Sequence, residues 1–255
     1  MEKRFVGKVA FVTGATTGIG QATAVRLASE GALVGVNQRP SDDPTETLRR
    51  IQDAGGEGFP VVADVRDPEQ VVAMVREVAR RGGRLDYVVS NAGINPMMKW
   101  DETSVDDFNA LTETNFRGTW LVVTEGAKQM IKEGHGGAIC CTSSLSAYVG
   151  SPTQVAYCGT KAGVSMLAKA LGAVLGEHGI RVNAVEPGCI DTPMSAYLMQ
   201  DPPALKYYEE RIALHRVGKP EEMASIIAFL LSDDASYLTC TTVLADAGFI
   251  VNAEL

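Results

Sequence analysis

Two residues in the stretch AYCGTK, Tyr157 and Lys161, stand four apart with only small or slender residues between them. On a helix that spacing puts both side chains on one face. A phenol with a pKa of about 10 is a poor base at neutral pH. An ammonium beside it favours the phenolate and moves the group toward useful proton exchange with an alcohol or a carbonyl. Ser144 follows the apolar run GAICCTS closely enough for its hydroxyl to hold a substrate oxygen at a strand end. A Tyr-x-x-x-Lys pair also arises readily by chance, so its meaning rests on the elements that position it.

Short apolar runs alternate with amphipathic stretches along the chain, the pattern of β-α-β units around a parallel sheet. Strands are expected at 8–14, 32–37, 58–63, 85–91, 137–143, 180–187 and 242–247. Helices are expected at about 18–30, 44–54, 68–81, 104–132, 155–178 and 220–232. The strands are almost unbroken hydrophobic runs, as a sheet covered on both faces requires. The expected fold is α/β: a doubly wound, seven-stranded parallel sheet with helices on both faces. No composition break divides it, so residues 1–255 read as one domain. The segment 189–216 carries a Pro pair and a mixed pattern, and reads as a loop with short helices that covers the substrate.

The first strand ends in TGATTGIG, residues 13–20, with glycines at Gly14, Gly18 and Gly20 and with Thr16, Thr17 and Ile19 completing the turn. Such a turn lets a pyrophosphate approach backbone N–H groups at a helix N-terminus. A tight strand–helix connection is the alternative reading. At the end of the second strand Gln38 stands where an NAD enzyme places a ribose-binding carboxylate, and Arg39 follows it. A guanidinium there can take a 2′-phosphate through its planar fork, which favours NADP and leaves NAD as the alternative. Asp64, followed by Val65, closes the third strand where an adenine amino group would lie. The fourth strand closes in SNAG, whose Asn91, Ala92 and Gly93 let the backbone approach the cofactor.

Composition narrows the function. The 255 residues are 45% hydrophobic and carry a formal charge of -8, which argues against a nucleic-acid partner. No apolar run is long enough to cross a membrane. The five cysteines (Cys140, Cys141, Cys158, Cys189, Cys240) contain no C-x-x-C, and the three histidines form no cluster, so no metal site is expected. A reducing cytoplasm is the simplest location.

Taken together, TGATTGIG, SNAG, Asn115 in TETNFRG, Ser144, YCGTK and EPGCIDTP resemble the short-chain dehydrogenase/reductase family over essentially the whole chain. The resemblance implies a Rossmann-type fold. It implies Tyr157 as general acid/base, Ser144 as the group that orients and polarises the reacting oxygen, and Lys161 as the group that binds the nicotinamide ribose and lowers the Tyr157 pKa. Asn115 would hold a water in a proton relay, and Pro187, Gly188, Ile190 and Thr192 would dock the nicotinamide carboxamide. Family members usually form homotetramers through helices corresponding to 104–132 and 155–178, with the closing run GFIVNAEL available for another contact. Two departures stand out: Ser90 where many members have Asn, and ADAG at 245–248 in place of DGG.

Within the family the stretches MIKEGHGGAICCTSSLSAYVGSPTQVAY, DPPALKYYEERIALHRVGKPEEMA and DAGFIVNAEL resemble sugar 1-dehydrogenases, particularly L-rhamnose dehydrogenases, which oxidise an aldose at C1 to its lactone. Ser146, Gln154, Asn95 and Glu186 are then candidates for hydrogen bonds to ring hydroxyls. Met97, Met98 and Trp100 would meet a deoxysugar methyl, and Lys99 an anionic substrate. Structural roles compete for each: a loop cap for Asn95, core packing for the methionines and Trp100, a solvated face for Lys99. The second enzyme reading is a 3-oxoacyl-thioester reductase, which shares the catalytic motifs. A non-catalytic NAD(P)-binding sensor would be expected to lack Tyr157, Lys161 or Ser144, and all three are present.

Overall fold

The computed structural model describes residues 3–252. Seven strands, β1 (Val9–Val12), β2 (Leu33–Gln38), β3 (Glu57–Val62), β4 (Tyr87–Ser90), β5 (Gly137–Thr142), β6 (Ile180–Pro187) and β7 (Thr242–Ala245), form one parallel sheet in the order β3-β2-β1-β4-β5-β6-β7. Each strand is shorter than or equal to its expected span, because the terminal residues turn out of the ladder. Pro60 sits in β3, an edge strand, where its missing N–H removes no central ladder bond. The chain leaves β1 toward β2 on one side and returns through β4 on the other. That reversal opens a crevice at the carboxyl ends of β1 and β4.

The alternation of side chains along each strand feeds two cores. Phe11, Val88, Ile139 and Val182 point to a face covered by α3 (Pro68–Gly82), α5 (Gly118–Glu133) and α6 (Val155–Leu175). Ala10, Val12, Val34 and Val36 point to the other face, covered by α1 (Gly18–Ser29), α2 (Thr45–Asp53) and α9 (Pro220–Leu231). Full burial of each Val, Leu, Ile or Phe stabilises by about 1.5–3 kcal/mol. Local signals set the helix ends. Asp67 accepts from the backbone N–H groups of Glu69 and Gln70, Pro68 opens α3, and Gly83 closes it at φ 75°.

The helix expected at 104–132 is in fact three pieces: α4 (Val105–Leu111), a π-helical turn (Thr112–Arg117) and α5. The wide turn places Asn115 inward, fully buried, with its carbonyl oxygen accepting from Thr119 Oγ1 at 2.8 Å. The pattern of apolar residues continues through this turn, which hides it from periodicity. Between 189 and 216 lie a 3₁₀ turn (Pro193–Ser195), α7 (Ala196–Met199) and α8 (Pro202–Arg211), matching a loop with short helices. Asp201 caps α8 by accepting from the Ala204 N–H. In the ADAG departure Ala247 sits at φ 52°, a left-handed conformation that the glycine of DGG would adopt without strain. Asp246 holds this turn by accepting from Gly248 and Ile250 N–H. The closing run GFIVNAEL reaches past the described residues at its last three positions. Among the described residues no helix is long and apolar enough to cross a membrane.

Candidate active site

One cavity of about 710 Å³ runs along the carboxyl ends of the strands, from the turn after β1 to α8. Its floor at one end is a glycine cradle. Gly14 adopts φ 59°, and a Cβ there would lie 2.9 Å from Ala92 Cα. Gly20 is packed so closely that its Cβ would lie 2.2 Å from Gly14 O. Two residues absent from the sequence reading hold this cradle: Thr13 and Asn37. Thr13 Oγ1 accepts from the N–H groups of Asn91 (2.8 Å) and Ala92 (3.0 Å), tying β4 to β1. Asn37 Oδ1 accepts from Gly14 N–H at 3.3 Å, while its amide donates to Ala63 O at 3.0 Å. Thr16, Thr17, Gly18, Ile19, Asp64, Val65, Asn91, Ala92 and Gly93 all line the cavity. Gly20 does not; it serves the close approach of α1. Gly20→Ala is therefore expected to weaken dinucleotide binding at least tenfold by displacing the turn, measured by calorimetric titration, with little loss if only solvent met the new methyl.

Four charged side chains stand at this end. Arg39 pairs with Asp42 through two bonds, Nε to Oδ2 at 3.0 Å and Nη2 to Oδ1 at 2.9 Å. Arg66 pairs with Asp64, its Nη2 at 2.6 Å from Oδ2. Each arginine holds its partner carboxyl below the usual carboxylate range, chiefly by side-chain hydrogen bonding. Beside them Gln38 Oε1 is buried with no hydrogen-bond partner among the described residues.

At the centre of the cavity α6 presents Tyr157 and Lys161 on its buried face, opposite Ser144 beyond the end of β5. Lys161 Nζ lies 5.6 Å from the Tyr157 ring centroid and donates to Thr142 O at 2.9 Å. The Ser144 hydroxyl accepts from Ser146 N–H at 3.1 Å. Burial dominates both titrating groups. It pushes the Tyr157 phenol up to about 12, against an opposing pull from the Ser144 hydroxyl, and holds the Lys161 ammonium down to about 8. The expected lowering of the Tyr157 pKa by Lys161 is thus not what the structure shows: burial sets the direction, and the ammonium is bonded to the Thr142 carbonyl. Asn115 lies outside the cavity wall. Its Oδ1 accepts from Ile94 N–H at 2.8 Å and its Nδ2 donates to Ile94 O at 2.9 Å. A Cβ on Gly93 would sit 3.3 Å from Asn115 Oδ1 and 3.5 Å from Lys161 Nζ, so the two are neighbours across that glycine.

A buried chain of hydrogen bonds fixes α6 against the sheet. Ser143 Oγ donates to Lys161 O at 2.7 Å, Ser165 Oγ to Glu186 Oε1 at 2.6 Å, and Tyr148 Oη to Glu186 Oε2 at 2.7 Å. Glu186 is therefore not a cavity residue; it is fully buried and its oxygens are taken. Pro187, Gly188, Ile190 and Thr192 do line the cavity, as do Ser146, Gln154 and Asn95. Gln154 Nε2 donates only to Met97 Sδ, at 3.2 Å, and Asn95 Oδ1 is buried without a partner among the described residues. Met97, Met98 and Trp100 do not line the cavity; Trp100 is exposed. Nor does Lys99, which pairs with Glu102 at 3.0 Å. The apolar wall comes instead from Val149, Met194, Tyr197, Leu198, Tyr208 and Phe249. The last two stack with ring centroids 5.5 Å apart. They escaped the sequence reading because they come from the 189–216 segment and the C-terminal turn, far from the catalytic motifs along the chain.

Residues 14–250 match a family model described as enoyl-(acyl carrier protein) reductase. The chain is 40% identical over 253 residues to an L-rhamnose 1-dehydrogenase (NAD(P)(+)) of Sphingomonas sp., covering 99% of this chain and 100% of the relative. It is 36% identical over 248 residues to a 3-oxoacyl-[acyl-carrier-protein] reductase of Thermotoga maritima, covering 97% and 100%. A short-chain type dehydrogenase/reductase from Mycobacterium marinum superposes with a TM-score of 0.92 at 34% identity, covering 97% of each chain. The chain belongs to the short-chain dehydrogenase/reductase family.

This short-chain dehydrogenase/reductase is an oxidoreductase acting on CH–OH groups with a nicotinamide dinucleotide. The residues present fit that cofactor: the glycine cradle has no room for side chains, backbone N–H groups open α1 there, and the partnerless Gln38 Oε1 offers an acceptor for a hydroxyl. Among the described residues no group of three His, Cys, Asp or Glu side chains is placed to hold a metal ion.

Proposed function

We propose that this protein oxidises an aldose of L-rhamnose type at C1 to its lactone, with NADP preferred to NAD. The observation that supports it most is the pairing of one polar and one apolar wall around Tyr157. Ser146, Gln154 and Asn95 offer hydrogen bonds for ring hydroxyls, and Tyr197, Tyr208 and Phe249 a surface for a deoxysugar methyl. The similarity to an L-rhamnose 1-dehydrogenase points the same way.

The nicotinamide cofactor, when bound, supplies hydride acceptance. The protein's own residues handle the proton and the orientation. The Ser144 hydroxyl holds the C1 oxygen, and the Tyr157 phenolate takes the C1 hydroxyl proton at Oη. Losing that proton and a hydride from C1 leaves the lactone carbonyl. Lys161 in its charged form stabilises the phenolate, so the pair functions as a unit in which neither buried charge stands alone. Lys161 and Asn115, neighbours across Gly93, would line the path by which the Tyr157 proton reaches solvent. Arg39 takes the 2′-phosphate that distinguishes NADP. The segment 189–216 closes over the substrate as a lid, carrying Tyr197 and Tyr208 with it.

Two further assignments belong to this reading. A homotetramer would cover Trp120 on α5 and Met166 and Val174 on α6, which are apolar and exposed. A reducing cytoplasm suits five cysteines of which none is disulfide-bonded.

The test is absorbance at 340 nm with NADP or NAD and a panel of L-rhamnose, L-fucose, L-mannose and D-glucose. Reduction by L-rhamnose, with L-mannose slower for want of the C6 methyl, is expected. The second reading, a 3-oxoacyl-thioester reductase, is favoured by the Thermotoga relative. Silence across the sugars with NADPH consumed by a 3-oxoacyl thioester would replace the first reading by the second.

A further inference from the structure

We propose that Asp42 sets the balance between NADP and NAD by competing with the 2′-phosphate for the guanidinium fork of Arg39. The turn Arg39-Pro40-Ser41-Asp42 closes through Asp42 N–H on Arg39 O at 3.0 Å. Asp42 Oδ2 also accepts from the Arg39 backbone N–H at 3.2 Å. The carboxylate is thus held at the fork by main-chain bonds, whatever the Arg39 side chain does. The Nε–Nη2 edge of the fork, one of the two that a phosphate could use, is already engaged, at 3.0 and 2.9 Å.

Charge counting strengthens the case. Arg39 and Arg66 are matched one for one by Asp42 and Asp64, and all four line the same end of the cavity. A 2′-phosphate, carrying about two negative charges at neutral pH, meets no net positive charge in this set and takes the Asp42-bound edge of Arg39 only when that fork is released. A 2′-hydroxyl needs no such release. Gln38 Oε1, buried and without a partner, can accept from it while both ion pairs stay intact. NAD therefore binds to the cluster as it is, and NADP gains the Nε–Nη2 edge only by drawing the guanidinium off Asp42, which narrows the preference for NADP that Arg39 confers. The chain accepts both dinucleotides, and one carboxylate holds their ratio down.

The pair is partly exposed, with side-chain accessibilities of 58% for Arg39 and 22% for Asp42, so screening limits its strength. A gain of about fivefold to tenfold in NADP affinity is expected for Asp42→Asn. The experiment is calorimetric titration of NADP, NAD and 2′,5′-ADP into the wild type, Asp42→Asn, Arg39→Ala and the double variant, each checked for an unchanged melting temperature. Asp42→Asn should tighten NADP and 2′,5′-ADP together and leave NAD within twofold. In the Arg39→Ala background, which itself weakens NADP far more than NAD, adding Asp42→Asn should change NADP binding less than twofold. An equal change for both dinucleotides, or no change for NADP, overturns the inference. So does a gain that survives without Arg39, because Asp42 would then act by direct repulsion. The inference rests on the cofactor reading: a wild-type protein that bound neither dinucleotide would overturn both, whereas binding of both with an unmoved ratio overturns this one alone.

Discussion

Tyr157→Phe is expected to lower kcat about a thousandfold or more while leaving the dissociation constant for NADP within about twofold. General acid–base catalysis by a positioned side chain is worth roughly 10²–10⁴ in rate. The ring is 7% exposed and keeps its packing in the variant; only Oη is lost. Burial pushes this phenol up to about 12, so the phenolate is scarce at neutral pH. Wild-type oxidation should therefore speed up as pH rises from 6 toward 9, as the reactive form becomes more populated, and the residual rate of the variant should not follow that slope. Stopped-flow rates at saturating cofactor across this range decide it. A Phe variant with near-normal kcat would remove Tyr157 from the proton path altogether.

Lys161→Met is expected to abolish activity and at the same time to make the fold more stable. The ammonium is 4% exposed and its pKa falls from the ordinary 10.5 to about 8. The sign follows from proton binding: between about 8 and 10.5 the unfolded chain holds this proton and the folded one does not. On this group's account, stability rises with pH through that window, and below it the folded state carries the full penalty of the buried charge. That penalty is roughly 3 kcal/mol. The hydrogen bond to Thr142 O offsets about 1 kcal/mol of the gain when it is removed. The removal of the charge wins, by about 1–2 kcal/mol, or roughly 3–6 °C in melting temperature for a chain of this size. Thermal unfolding of wild type and variant at pH 7 and pH 10 tests both halves, since the advantage of the variant should shrink at the higher pH. A variant less stable than wild type at pH 7 would mean that the lysine is a structural asset rather than a tolerated strain.

The sheet was legible because its strands are buried on both faces and so read as unbroken apolar runs; Ala10, Phe11 and Val12 need no partner information to be seen as a strand. Tyr157 and Lys161 were legible as neighbours because four residues make one helical turn. Thr13 and Asn37 were not, since a threonine and an asparagine in a strand carry no sign of which backbone N–H they will meet. The π turn at Asn115 was hidden because one inserted residue barely disturbs the apolar pattern. In sequence Glu186 reads as a candidate partner of ring hydroxyls because it directly precedes Pro187 and Gly188, which line the cavity. In the fold its strand position turns it inward, where only hydroxyls from Tyr148 and Ser165 receive it. The apolar wall was misplaced on Met97, Met98 and Trp100 for a related reason: adjacency in sequence to the catalytic motifs is not adjacency to the cavity, which recruits Tyr208 and Phe249 from elsewhere.

The bonds from Ser143 to Lys161 O and from Ser165 to Glu186 weld β5, β6 and α6 into a single stiff body. Tyr157 and Lys161 ride on that body, while Tyr197 and Tyr208 ride on short helices α7 and α8. The two halves of the cavity are therefore expected to keep different clocks. Amide hydrogens of α6 should exchange with deuterium only through the rarest openings, and those of 196–211 much sooner. On the proposed lid reading, motion of the roof adds a step of its own, and solvent viscosity should slow turnover most toward pH 9, where proton removal is fastest.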